Sequence, residues 1–116
     1  MFLPKWSSLL FAFTLFAADN RPRLIVLTDI SSLTAGLREP DDGQSLIRLL
    51  LFSNDIAIEG LIASSNMGHG QVVRPELIHQ AIDAYALVYP NLRRHHKRYP
   101  KPESLHAVVK LSLIHI

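Results

Sequence analysis

The chain contains no cysteine. Disulfides and thiolate metal sites are therefore excluded, while the compartment stays open, because many exported proteins also lack the residue. An excess of one charge is missing as well. Twelve basic and ten acidic residues leave a net charge of +2, with six histidines counted neutral. That balance is too mild to argue for a nucleic-acid partner. No internal repeat and no low-complexity tract is present. A glycine-rich turn after the first predicted strand, which a dinucleotide site needs, is absent too. What remains is ordinary globular material: 116 residues, enough for one small domain, with 48% apolar residues. That apolar share excludes disorder of the chain as a whole.

The N-terminus reads as an export signal. One positive charge in Met1 to Lys5 precedes the apolar run Leu9 to Phe16, interrupted only by Thr14, and Ala17-Ala18 follow. This is the charged, apolar and small-residue order of a secretory signal peptide, too short to span a bilayer comfortably. The expectation is a signal over 1–18, with the mature chain starting near Asp19 in a secreted or periplasmic location and no membrane association after cleavage. Phe16 departs from the small residue usual two places before the cut. Trp6 falls within this segment and does not count as a sugar-stacking residue.

Leu24 to Thr28 predicts a first strand, apolar without alternation and so suited to cover on both faces. A long polar loop, Ile30 to Pro40, leads to a helix over Asp41 to Phe52. Only Arg48 is strongly polar in that helix's second half, which predicts a largely buried element. Ile56 to Ser64 predicts a second strand, with Gly60 as a close-packing point. A second helix begins at Arg74-Pro75-Glu76, buries Ile78, Ala81, Ile82, Tyr85 and Val88, and is expected to end at Pro90. Glu103 to Lys110 predicts a short third helix. The basic run Arg93 to Arg98 reads as a solvated segment after a helix end, where cations are favoured.

Strand, helix, strand predicts a parallel pair with a right-handed crossover. Both strands then end at one sheet edge. Asp29 follows the first strand, Asp41 and Asp42 open the helix leaving that edge, and Asn66 follows the second strand. Three carboxylates with an amide favour a hard cation such as calcium or magnesium, whereas zinc would want histidine or cysteine. Clustered carboxylates repel one another unless a cation neutralises them. Asp41 and Asp42 also suit the positive end of a helix dipole and its free N–H groups, and for that pair capping is the simpler role. His69, between two glycines on the same edge, is a candidate substrate contact or an ordinary loop histidine. Asp29-Ile30-Ser31 fails the Asp-x-Asp required of an aspartyl-nucleophile phosphatase. No aspartate ends a later strand, as a receiver domain requires.

Thr28-Asp29, Asp41-Asp42 at the helix start and Ser64-Ser65-Asn66 resemble the nucleoside hydrolases, the inosine/uridine-preferring fold, which carry Asp-x-Asp-x-Gly-x-Asp-Asp at the first strand end. The wording is most similar to a bacterial exported branch described as cellulose-binding, with a nucleoside hydrolase-like domain. Ile58-Glu59-Gly60-Leu61-Ile62-Ala63-Ser64-Ser65, Ala81-Ile82-Asp83-Ala84-Tyr85-Ala86 and Tyr89-Pro90-Asn91-Leu92 carry that likeness. The resemblance implies an α/β fold: the N-terminal β-α-β-α part of a parallel-sheet, Rossmann-like domain over 19–110. It implies calcium held by Asp29 and Asp42, Asp29 as base toward water, and Asp41 and Asn66 on the ribose hydroxyls. It further implies hydrolysis of an N-glycosidic or related sugar bond in a nucleoside or other sugar substrate. The alternative is a non-catalytic module that binds carbohydrate, cellulose among them. Two departures stand out. Leu27 replaces the family's first aspartate, and Ile30 to Pro40 replaces its short glycine step. The tail, Leu111 to Ile116, is similar to a translated sequencing adaptor, and the expectation is a non-native end; a genuine short strand is the competing reading.

Overall fold

The computed structural model describes residues 19–33, 41–65 and 72–115, with side chains described as far as Ser112. Six elements follow in chain order: β1 (Arg23–Thr28), α1 (Asp41–Leu51), β2 (Ala57–Ser65), α2 (Pro75–His95), α3 (Pro102–Ala107) and β3 (Val109–His115). The signal-like segment lies outside the described residues, as does most of the loop before α1.

The strands form one parallel sheet in the order β1-β2-β3. This is an α/β fold, as the strand–helix–strand pattern predicts. β1 and β2 pair in register except at one point, where Leu24 pairs with Ile58 and Ile25 with Gly60, leaving Glu59 over as a bulge. Arg23 covers the bulge by donating from Nε to Glu59 Oε1 at 2.6 Å. Gly60 is the close-packing point expected of it, because a Cβ there would stand 3.0 Å from Ile25 Cγ2.

One apolar core joins the sheet to the helices. Leu61 and Ala63 of β2 and Val109 of β3 meet Leu46 and Leu50 of α1. Ile78, Ala81, Ile82 and Tyr85 of α2 and Leu105 of α3 complete it. Two successive right-handed crossovers that step across a sheet in one direction carry their helices to the same face. The opposite side of β1 and the outer side of α1 are left exposed, and this corrects two expectations. β1 alternates rather than being covered on both sides: Ile25 is 61% exposed and Leu27 53%. α1 buries only Gly43, Leu46 and Leu50, while Ile47, Leu51 and the following Phe52 are exposed, because only the sheet side and the α2 flank offer cover.

Two helix ends also differ. α2 runs through Pro90 to His95. Proline forfeits one backbone bond, and here it lies on the exposed side of the helix, while Tyr89 and Leu92 pack against the core and hold the next turn in place. His96 N–H then closes the end on the Leu92 carbonyl at 3.0 Å. α3 stops at Ala107, and Val109 and Lys110, expected in that helix, belong to β3 instead. The β-branched Val109 pairs with Leu61 and drops into the core, a burial that a longer helix would forgo. Val88 is exposed rather than part of the buried stripe.

Further bonds tie the connections down. Tyr85 Oη donates to the Pro100 carbonyl at 2.7 Å, and Tyr99 Oη to the Leu51 carbonyl at 2.9 Å. Arg21 donates to the carbonyls of Ser53, Asn54 and Arg98, so one side chain gathers three segments. Arg93 to Arg98 is exposed throughout, the last turn of α2 carrying Arg93, Arg94 and His95. No helix among the described residues is long and apolar enough to cross a membrane.

Candidate functional site

β1 and β2 end at the same edge of the sheet, Thr28 pairing with Ala63 and β2 continuing to Ser65. Ser64 Oγ donates to the Thr28 carbonyl at 3.2 Å, which fastens the two strand ends together. The chain leaves β1 through Asp29, and α1 begins at this edge with Asp41 and Asp42.

Thr28 organises the edge. Its buried hydroxyl accepts from the Ile30 N–H at 3.2 Å and donates to Asp42 Oδ2 at 2.6 Å. One side chain thus shapes the turn after β1 and aims the carboxyl of α1 at the strand end. The Asp42 carboxyl is also hydrogen-bonded to that of Asp29. Two like charges side by side disfavour the ionised form of each. Partial burial pushes the Asp42 carboxyl above the usual carboxylate range. The hydrogen bond from Thr28 opposes that rise, and the bond and charge of Asp29 and the charge of Asp41 add to it. The charges that bear on Asp42 are thus both negative.

The two helix-opening acids divide their work. Asp41 is exposed, and its Oδ1 accepts the backbone N–H of Asp42 at 3.1 Å, a helix-start contact. Asp42 instead turns toward the sheet. The structure therefore brings Asp29 and Asp42 together and leaves Asp41 beside them on the solvent side. Asn66 and His69 lie outside the described residues. Thr28 was not singled out by sequence reasoning, though a hydroxyl residue just before the strand-end aspartate is the signal that marks it.

A cleft of about 290 Å³ adjoins the pair between β1 and α1. Leu24, Val26, Leu27, Leu46 and Leu49 line it, with Thr28, Asp42 and Ser45 as its polar groups. Its walls are apolar, and the Asp42 carboxyl is the acidic group among its lining. Asp29 and Asp42 offer only oxygen donors, and their like charges repel. A hard cation fits that donor chemistry, since it would neutralise both carboxylates at once. Among the described residues no three His, Cys, Asp or Glu side chains form a group able to hold a metal by themselves.

Residues 23–116 match the protein family described as cellulose-binding Sde182, nucleoside hydrolase-like domain. A solved structure from Saccharophagus degradans is similar with a TM-score of 0.67 and 31% sequence identity. It is described as a nucleoside hydrolase-related hypothetical protein associated with carbohydrate metabolism. The likeness covers 76% of this chain and 20% of that one, so this chain spans about a fifth of the solved protein's length. No curated protein matches the chain. With a family match over nearly all the described residues and the same parallel α/β frame in a solved relative, the chain belongs to the Sde182-type, nucleoside hydrolase-like domain family.

Proposed function

We propose that this chain supplies the acidic edge of a carbohydrate site, at which Asp29 and Asp42 hold calcium and a sugar bond is hydrolysed. The observation that carries the reading is the Asp29–Asp42 carboxyl pair, aimed by Thr28 and bordered by negative charge. A bound calcium would lower the cost of taking a proton from water and offer ligand positions to sugar hydroxyls. The protein's own part follows from placement. Asp29, at the end of a strand, is the base that receives the water's proton. Asp42, held by Thr28, keeps the second carboxylate facing it. Asp41, on the solvent side, takes a sugar hydroxyl in this reading, a role the family resemblance gives to Asn66 as well. Cleavage of a glycosidic bond passes through an oxocarbenium-like state, which neighbouring carboxylates stabilise. N-glycosidic bonds are the substrate class the family resemblance favours.

A second reading has its own support. The matching family is described as cellulose-binding, which favours a module that keeps the fold and grips polysaccharide without cleaving it. The two readings part in one experiment on the complete domain. Calorimetry with calcium is run on the wild type and Asp29→Ala, beside assays of sugar release from nucleosides and of retention on insoluble cellulose. Hydrolysis predicts calcium-dependent sugar release that falls at least about a thousandfold in Asp29→Ala, as loss of a general base and a ligand together would produce. Equal calcium affinity in the two proteins would sink the metal assignment. Retention on cellulose without sugar release establishes the binding module.

A further inference from the structure

Away from the acidic edge, α2 and α3 bring three titratable side chains into line. His79 Nδ1 and His106 Nδ1 lie 2.7 Å apart, and His106 Nε2 lies 3.1 Å from Asp83 Oδ1. The imidazole planes are within 18° of each other and the ring centres are 5.0 Å apart. The centres are separated by more than the nitrogens by a full ring's span. The rings therefore meet edge to edge in nearly one plane, and the two Nδ1 positions face one another. His79 and Asp83, four residues apart on α2, share a helix face. His106 comes from the last turn of α3. Both rings are half-buried, and Asp83 is exposed.

We propose that His79 and His106 form a two-nitrogen site for a borderline dication of the zinc or nickel class, backed by Asp83. Imidazole nitrogen suits these ions, whereas calcium wants oxygen. A histidine ligand characteristically donates its other ring N–H to a carboxylate, which fixes the tautomer and leaves the facing nitrogen as a lone pair. Asp83 does this for His106. Without an ion, the Nδ1–H of His79 donates to the Nδ1 lone pair of His106. Binding moves that proton through solvent to Nε2 of His79, so both Nδ1 atoms become ligands and no proton is lost overall. With metal–nitrogen bonds of about 2.0–2.1 Å in tetrahedral array, the nitrogens would stand about 3.3 Å apart, a small side-chain opening from the present distance. Water completes the coordination sphere. His106 sits three residues before Val109, so an ion here would pin the short α3 to α2 just where the chain enters β3.

The test is a titration of nickel chloride into the full chain in excess calcium, followed by calorimetry and thermal melting. The expected result is one nickel ion per chain and a raised melting temperature. Affinity should fall at least tenfold in His79→Gln and in His106→Gln, and about ten- to a hundredfold in Asp83→Asn. The double variant His95→Gln/His96→Gln, which removes the exposed pair at the end of α2, should bind as the wild type does. Absence of nickel binding in the wild type overturns the proposal. So does wild-type affinity in both single glutamine variants, or loss of binding in the His95/His96 variant. Should a glutamine variant lose the wild-type circular dichroism, the exposed substitution Asp83→Asn decides, and unchanged affinity there overturns the proposal.

Discussion

Thr28 is where fold and chemistry meet in one side chain. Its hydroxyl is committed on both sides, to the Ile30 N–H and to Asp42, in a buried position. Thr28→Val keeps the shape and deletes both bonds, leaving a backbone donor and a carboxyl without their partner. The expected loss is about 1–3 kcal/mol of stability, measured by urea unfolding, with Thr28→Ser retaining most of it. At the start of the described chain, the hydrogen bond from the Arg21 guanidinium and that from the Arg21 N–H pull the Asp19 carboxyl down to about 2. A carboxyl whose folded value lies below its unfolded one binds protons less readily in the fold. Its contribution is present above the ordinary value of 3.8 and is lost as pH falls toward about 2. Asp19→Asn should therefore flatten the acid limb of the stability–pH curve between those values and leave the curve at neutral pH nearly parallel to that of the wild type. At this scale Asp29, Asp41 and Asp42 were legible in the sequence as acids at one edge. That Asp42 turns inward and Asp41 outward was not. Successive helix residues point about 100° apart, and which one meets the strand depends on how the helix docks.

Among the elements, α2 shows most plainly what local pattern can and cannot decide. Its start at Pro75 and its stripe of Ile78, Ala81, Ile82 and Tyr85 follow from proline's tolerance at a first turn and from helical period. Its passage through Pro90 does not, because the packing of Tyr89 and Leu92 outweighs the missing bond. Pro90→Ala restores that bond at an exposed position. It should raise stability by about 1–3 kcal/mol, read as an increase in melting temperature. The end of α3 tells the same story. Leu105 and Val109 are both buried at helical spacing, and only the pairing of Val109 with Leu61 marks the change from helix to strand.

For the molecule as a whole, the one-sided placement of the helices has a direct consequence. Ile25 and Leu27 stand exposed on β1, an edge strand, beside a bulge guarded by Arg23 and Glu59. An apolar edge of this kind promotes association between chains. The full chain is expected to self-associate as its concentration rises, seen as growing mass in sedimentation. Ile25→Thr/Leu27→Thr should shift that mass toward the monomer while the far-ultraviolet circular dichroism is kept.

Local pattern along the chain suffices for the parallel β-α-β order, the aspartates at its carboxyl edge, the buried stripe of α2 and the family resemblance. These depend on short-range period, on turn chemistry and on the near-invariant hand of the crossover. The docked fold was needed to show which acid of the helix start meets Asp29, and that Thr28 aims it there. It alone lined up Asp83, His106 and His79 across two helices, and left one face of β1 open. Contacts between residues far apart in the chain depend on the angle and register at which whole elements dock, and no local pattern encodes those.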